Sequence, residues 1–175
     1  AMSIAGSLNN LAYVVMNGMA SAVGIITGKT IGARQEDKMR EYAKTVQIIF
    51  LGLGIVTGLS VFLLKSPFIS LFAVSAAAKS EAAKYINVLA LTSVGTCYQA
   101  ACLFGLVKSG GDISFVFKND FIFVFFVVIP SSVVATLLHA PAWVVFACLK
   151  CDQILKCFVA VVKVNSYNWM KNLTR

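Results

Sequence analysis

The chain has 175 residues, 59% of them hydrophobic and only 13% charged, with a formal net charge of +8. A soluble domain carries about 45–50% apolar and about 25% charged residues, so this composition excludes a disordered chain and argues against a soluble enzyme. A mean hydropathy of +0.84 points the same way, and the placement of the charges makes the predicted class an all-α, polytopic transmembrane helical bundle.

A membrane-crossing helix needs roughly 20 mainly apolar residues, because the hydrocarbon core is about 30 Å thick. Residues 1–28, 45–64 and 85–107 carry no charge at all. Residues 121–138 read FIFVFFVVIPSSVVATLL, and 142–162 read AWVVFACLKCDQILKCFVAVV, broken by the charged Lys150, Asp152 and Lys156. Five spans are therefore predicted, at 3–28, 45–64, 85–106, 120–138 and 142–162. They are too long and too continuously apolar for the alternating strands of a membrane barrel.

In chain order, the first span ends in a charged turn. The stretch from Gln35 to Gln47 reads either as a short interfacial helix or as the first turns of the second span. Ser66 and Pro67 are expected to end the second span. The apolar stretch from Pro67 to Ala78 is too short to cross and is expected at the outer interface. Gly110-Gly111-Asp112 is the strongest turn signal in the chain. Pro130 should kink the fourth span or end a regular stretch of it. Leu138 to Pro141 forms a tight connection into the fifth span, with the proline at a favoured helix start. Nothing marks a second domain, so residues 1–175 are read as one lobe.

The basic residues sort these connections. Lys29, Arg34, Lys38, Arg40, Lys44, Lys108, Lys118, Lys163, Lys171 and Arg175 fall on one side of the predicted topology. Lys65, Lys79 and Lys84 fall on the other. Short Lys/Arg-rich loops stay cytoplasmic, so the chain is expected to start outside and to end in the cytoplasm. The positive charge is thereby explained without nucleic acid, for which no motif is present. No cleavable signal is expected at the start, and an outside start with five crossings reads either as a fragment boundary or as the loss of one preceding helix.

Several polar or small residues inside the spans are candidates for function. Asn9, Asn10 and Asn17, and likewise Tyr98 and Gln99, read either as interhelical hydrogen-bonding groups or as lining of a water-filled cleft. Gly24, Gly28 and Gly32 form a small-residue ridge suited to close helix packing. The triplet Gly28-Lys29-Thr30 is not a phosphate loop, since Val23 stands where its first glycine would be. Asp120 is expected to cap or anchor the start of the fourth span. Asp152 and Lys156, four residues apart, read as a local ion pair or as the polar face of a cavity. The five cysteines read as apolar filling, and Cys148 and Cys151 lack the second pair of ligands that a metal would need. His139 is the only histidine, and no nucleophile–base set or metal-protease motif is present, so neither enzyme activity nor a cofactor is expected. Asn172-Leu173-Thr174 matches a glycosylation acceptor but falls on the expected cytoplasmic side.

Three segments carry a family likeness. The first runs from Asn17-Gly18 through Gly28, Gly32 and Ala33 into the charged turn. The second is Gly105-Leu106-Val107-Lys108-Ser109-Gly110-Gly111-Asp112. The third is the tail, Lys163 to Ser166 with Trp169, Lys171 and Asn172. Together they make the chain similar to the C-terminal lobe of a multidrug and toxic compound extrusion (MATE) transporter. It departs from the family at Lys29, commonly a glutamine, and at Lys163, usually an arginine.

The resemblance implies half of a two-lobe transporter in the plasma membrane, its five spans matching the last five of twelve helices. It implies export of amphipathic, often cationic, drugs or metabolites in exchange for sodium ions or protons, with membrane lipid and the N-terminal lobe as partners. Asn10, Asn17, Tyr98, Gln99 and Asp152 would line the cleft. Gly110, Gly111 and Asp112 would shape the cytoplasmic loop. The acid that some members carry on the fourth helix of this lobe has no counterpart, because residues 85–106 contain no Asp or Glu. A lipid-linked saccharide flippase of the same superfamily and a non-transporting membrane subunit are the alternatives.

Overall fold

The computed structural model describes residues 2–71 and 75–171, apart from the side chains of residues 2–5, 8, 9, 11 and 12. The Asn9 side chain, the Asn172-Leu173-Thr174 acceptor and the middle of the stretch after Pro67 thus lie outside the described residues. Every regular element among the described residues is helical: α1 (Met2–Gly32), α2 (Glu36–Ser70), α3 (Ala76–Gln99), α4 (Ile113–Phe123), α5 (Ile129–Leu137), α6 (Ala142–Lys150) and α7 (Asp152–Asn165). Two stretches of wider π-helix join them, Ala100–Lys108 after α3 and Val124–Val128 between α4 and α5.

Among the described residues four helices are long and apolar enough to cross a bilayer: Tyr13–Gly32, Glu36–Ser70, Ala76–Lys108 and Ile113–Leu137. The fifth predicted span is instead two shorter helices, α6 and α7, meeting at Cys151. Its break falls beside Asp152, the residue that an unbroken apolar helix would have had to carry through lipid.

The central rod is α3 with its π-helical continuation. Its apolar window is 78% buried, against 6% for the window spanning α4 and α5. It packs on α2, α6 and α7, and its continuation packs on α1. Small residues make this possible. On α2, a Cβ at Gly58 would stand 2.7 Å from the Ala90 carbonyl oxygen, and one at Gly54 would stand 3.0 Å from Val94 Cα. The outer face of α2 exposes Ile48, Ile55, Val56, Phe62 and Leu63, as expected of a surface solvated by hydrocarbon.

Two proline expectations resolve differently. Pro67 does not end the second span, because α2 runs through it to Ser70. So near a helix end the ring removes a single ladder bond, and the Ser70 hydroxyl donates to the Pro67 carbonyl at 2.7 Å. Pro130 does disturb its helix. The π turns Val124–Val128 lie just before it, and the Ile129 amide reaches back to the Val124 carbonyl. A widened turn relieves the clash between the proline ring and the carbonyl four residues earlier. The segment Gln35–Gln47 forms the first turns of α2 rather than a separate interfacial helix.

Three connections share one end of the lobe. The Arg40 guanidinium lies over the Tyr167 ring, 5.2 Å from its centroid. The Lys171 amide donates to the Gly110 carbonyl at 2.8 Å. The α1–α2 turn, the α3–α4 turn and the tail, which hold most of the loop lysines and arginines, are therefore neighbours.

Candidate functional site: a polar seam between the helices

The seam begins at Gly95. A Cβ there would collide with the Gln153 carbonyl oxygen, so only glycine lets the start of α7 lie this close to α3. The approach brings three amide and hydroxyl groups together. Gln99 Nε2 donates to Gln153 Oε1 at 2.7 Å. The Thr96 hydroxyl shares its proton between the Thr92 carbonyl at 2.9 Å and Gln153 Oε1 at 3.2 Å. Gln153 Nε2 in turn donates to both Asp152 oxygens, at 3.2 and 3.4 Å.

Charge follows. Lys156 Nζ is 3.0 Å from Asp152 Oδ2 along α7 and 2.8 Å from Asp120 Oδ1 on α4. The i,i+4 pair expected within α7 is present. Asp120 is not at a helix start. Helix α4 begins at Ile113, two turns earlier than the predicted span, because Asp112 and the glycines before it form the turn. Asp120 therefore lies within the helix and serves as the second carboxylate of Lys156. A buried ammonium is tolerated in such a place only when its donors are satisfied by fixed anions.

A second, neutral arm ties α2 to the same faces. The Tyr98 hydroxyl donates to Gln47 Oε1 at 2.7 Å, and Gln47 Nε2 donates to Asn165 Oδ1 at 3.4 Å. Tyr98 and Gln99, adjacent in sequence and paired in expectation, thus enter different networks, since neighbouring positions on a helix point about 100° apart.

The other candidates are placed elsewhere. Asn10 and Asn17 are exposed on α1 and do not join the seam. Asn17 lines a surface cavity of about 440 Å³ with Ser21, Gly24, Phe104, Lys108 and Ser109. Gly24 makes a close crossing: a Cβ there would stand 2.7 Å from Ser109 Oγ, and its counterpart Gly105 faces Val23 Cγ1 at 2.9 Å. Gly28 and Gly32 have nothing within 4 Å of where a Cβ would lie, so the ridge packs within this chain at Gly24 alone. All five cysteines are free thiols, with Cys97 and Cys102 buried. No group of three metal-ligating side chains occurs among the described residues.

At the loop end, Gly111 has φ 102°, a conformation that favours glycine. Asp112 follows and gathers two ammonium groups, Lys163 Nζ on Oδ2 at 2.7 Å and Lys171 Nζ on Oδ1 at 2.9 Å. The hydrogen bond from Lys163 holds the Asp112 carboxyl below the ordinary carboxylate range, and Lys171 adds to it against the opposing effect of burial. Trp169 is fully buried. Its ring occupies the space a Gly110 side chain would need, and its indole N–H donates to the Val164 carbonyl at 2.9 Å.

Sequence reasoning missed Gln47, Thr96, Gln153 and Gly95. Gln47 stood at the start of an uncharged run as an amide, the signal that singled out Asn17, whereas Gln153 was overshadowed by the charged Asp152 beside it. Nothing local marked Gly95 as a crossing point.

The long apolar helices, the lipid-compatible outer face and the buried ionic seam define a polytopic α-helical membrane protein. The sequence model of the MatE family matches residues 1–134, and the chain belongs to that family. No curated protein and no solved structure matches it. The matched stretch runs from α1 into α5, so Asp152, Gln153, Lys156 and the Trp169 tail lie beyond it.

Proposed function

We propose that this chain forms the C-terminal lobe of a cation-coupled antiporter that exports amphipathic, often cationic, small molecules. Family membership supports transport, and the observation that carries the reading is the uncovered polar stripe of α1. Asn10, Asn17, Ser21 and Gly28 share one helical face, and all four are exposed. Amide side chains facing hydrocarbon are costly. A water-filled cleft, completed by the N-terminal lobe, removes that cost.

In this reading α6 and α7 cross the membrane together as the last span, and the basic end with the Trp169 tail faces the cytoplasm. Coupling is to sodium or protons, and the lobe acts without enzymatic chemistry. A saccharide flippase needs a more strongly basic cleft, whereas the Asn17 cavity is lined by one lysine, Lys108, and a cavity between α1 and α2 near Thr27 and Tyr42 by one, Lys29.

The test is efflux of a fluorescent cationic drug from vesicles holding the intact protein, driven by a sodium or a proton gradient. Efflux under one of the two gradients, weakened by Asn17→Leu, is expected. No efflux under either gradient overturns the reading.

A further inference from the structure

Beneath the α1–α2 turn lies a cavity of about 640 Å³, between the last turns of α1 and the first turns of α2. Val23 and Ile26 of α1 and Val46 of α2 form its walls, with the buried Met39 and Leu106 behind them. No aspartate or glutamate lines it.

This cavity is not part of the polar stripe of α1. Ile26 and Ala33 line it, and they follow Asn17 by nine and sixteen residues. At about 100° per residue these positions are turned about 180° and about 160° from Asn17. The cavity therefore opens on the side of α1 away from the stripe that faces the cleft.

Its polar groups are mostly donors. The hydroxyls of Thr27, Thr30 and Thr45 each donate to a carbonyl of their own helix, at 2.8, 2.8 and 3.0 Å. The protons left to meet a ligand belong to the Lys29 ammonium, the Gln35 amide and the Tyr42 hydroxyl.

Charge gives an independent second observation. Lys38 stands four and seven residues before Tyr42 and Thr45, on the same face of α2. It is exposed, as is Lys29. The ion pairs among the described residues engage only Lys84, Lys156, Lys163 and Lys171. Neither Lys29 nor Lys38 thus has a carboxylate partner there.

We propose that this cavity seats one anionic phospholipid. An acyl chain lies along Val23, Ile26 and Val46, and the phosphate meets Lys29, with Lys38 beside it on α2. Apolar walls select a lipid over a free phosphate. An ammonium can only donate hydrogen bonds, so the headgroup must accept them. Two unpaired lysines with no acid between them select a net negative headgroup over a zwitterionic one. The rise from Val23 to Lys29 is about 9 Å, within the roughly 15 Å of hydrocarbon in one leaflet. The exporter reading enters only in assigning this lipid to the cytoplasmic leaflet; the binding itself does not depend on transport.

The experiment is native mass spectrometry of the intact, detergent-purified protein, titrated with phosphatidylglycerol or with phosphatidylcholine of the same chains. The first phosphatidylglycerol should bind the wild type at least about fivefold more tightly than phosphatidylcholine. Lys29→Gln should weaken phosphatidylglycerol about fivefold and leave phosphatidylcholine unchanged. Lys44→Gln removes the same charge from the far side of α2, two residues after Tyr42, and should leave both affinities unchanged. Ile26→Trp fills the cavity and should weaken both lipids alike. Ile26 is 51% exposed, so its unfolding temperature should match that of the wild type.

No preference for phosphatidylglycerol in the wild type, as when a protein segment fills the cavity, overturns the site. So does equal weakening by Lys44→Gln, which would mark a diffuse basic surface. Displacement of the lipid by glycerol phosphate at matched concentration would mark a free-phosphate site and overturns it as well. A lipid preference that depends on Lys29, without drug efflux in vesicles, leaves the site standing and overturns the exporter reading. Efflux without that preference does the reverse.

Discussion

Two lysine–aspartate clusters in this lobe are mirror images in charge. In the seam one lysine, Lys156, bridges two carboxylates. At the loop end one carboxylate, Asp112, bridges two lysines, Lys163 and Lys171. The distances are alike, 2.8 and 3.0 Å in the first and 2.7 and 2.9 Å in the second. The surroundings are not. The Lys156 side chain is 6% exposed, whereas that of Lys171 is 51% exposed. The same chemistry therefore has different consequences. Within the seam the Lys156 and Asp152 side chains are both buried, so breaking that pair strands a buried ion, although Asp120 is 37% exposed. At the loop end solvent and salt screen the pairs, and the cluster contributes mainly by holding the tail against the α3–α4 turn.

The largest expected effect tests that contrast directly. Lys156→Met should strand the buried Asp152 carboxylate and destabilise the fold by about 3 kcal/mol, the low end of the usual loss when one partner of a buried ion pair is removed, because Asp120 is partly exposed. Thermal unfolding in nanodiscs reads it. Adding Asp120→Asn and Asp152→Asn to the same chain should recover most of the loss, because the stranded charge is then gone. Failure to recover would mean that the seam holds the helices by packing rather than by charge balance.

Trp169→Ala comes next and sharpens the other side of the comparison. The ring fills the space above Gly110, so its removal should cost about 3 kcal/mol by cavity formation. Limited proteolysis should then cut the tail after Asn165 while α1 to α5 stay protected. If the tail instead stays protected, the ionic contacts of Asp112 hold it unaided.

Asp112→Asn should cost less, about 1–2 kcal/mol, in the range of hydrogen bonds to charged groups, because its second partner is solvated. Its pH dependence has a definite sign. Folding lowers the Asp112 pKa. Its contribution is therefore fully present above the unfolded value near ~3.9 and is lost as pH falls below that, through the lower folded value. Unfolding temperatures taken down through pH 4 should fall more steeply for the wild type than for Asp112→Asn. Parallel curves would show that the lysines do not discriminate the charged carboxylate.

The smallest effect is on α1. Gly28→Ala meets nothing within 4 Å, so it should leave stability unchanged or raise it by up to about 1 kcal/mol through helix propensity. Gly24→Ala, facing Ser109 Oγ at 2.7 Å, should lower it. Equal effects would show that the α1 crossing is looser than its geometry.

The solvent and the class of fold were legible from the residues alone. Uncharged runs of 20 residues and more have one cheap environment, and they fall in long helices that extend as many as nine residues beyond the predicted ends. The residues also located the Gly110-Gly111-Asp112 turn, since backbone conformations there depend on the residues themselves. The ion pair of Asp152 and Lys156 was legible for the same reason: four residues on a helix is a local distance.

Which side chains meet across helices came instead from the packing of the folded lobe. Gly95 became a crossing point because the Gln153 backbone lies against it. Asp120 changed from a helix start to a partner of Lys156, and Gln99 parted from Tyr98. Pro67 was overridden because one missing bond near a helix end weighs little. Such outcomes depend on helix rotation and crossing, set by the summed packing of several rods, and no spacing within a single helix encodes them.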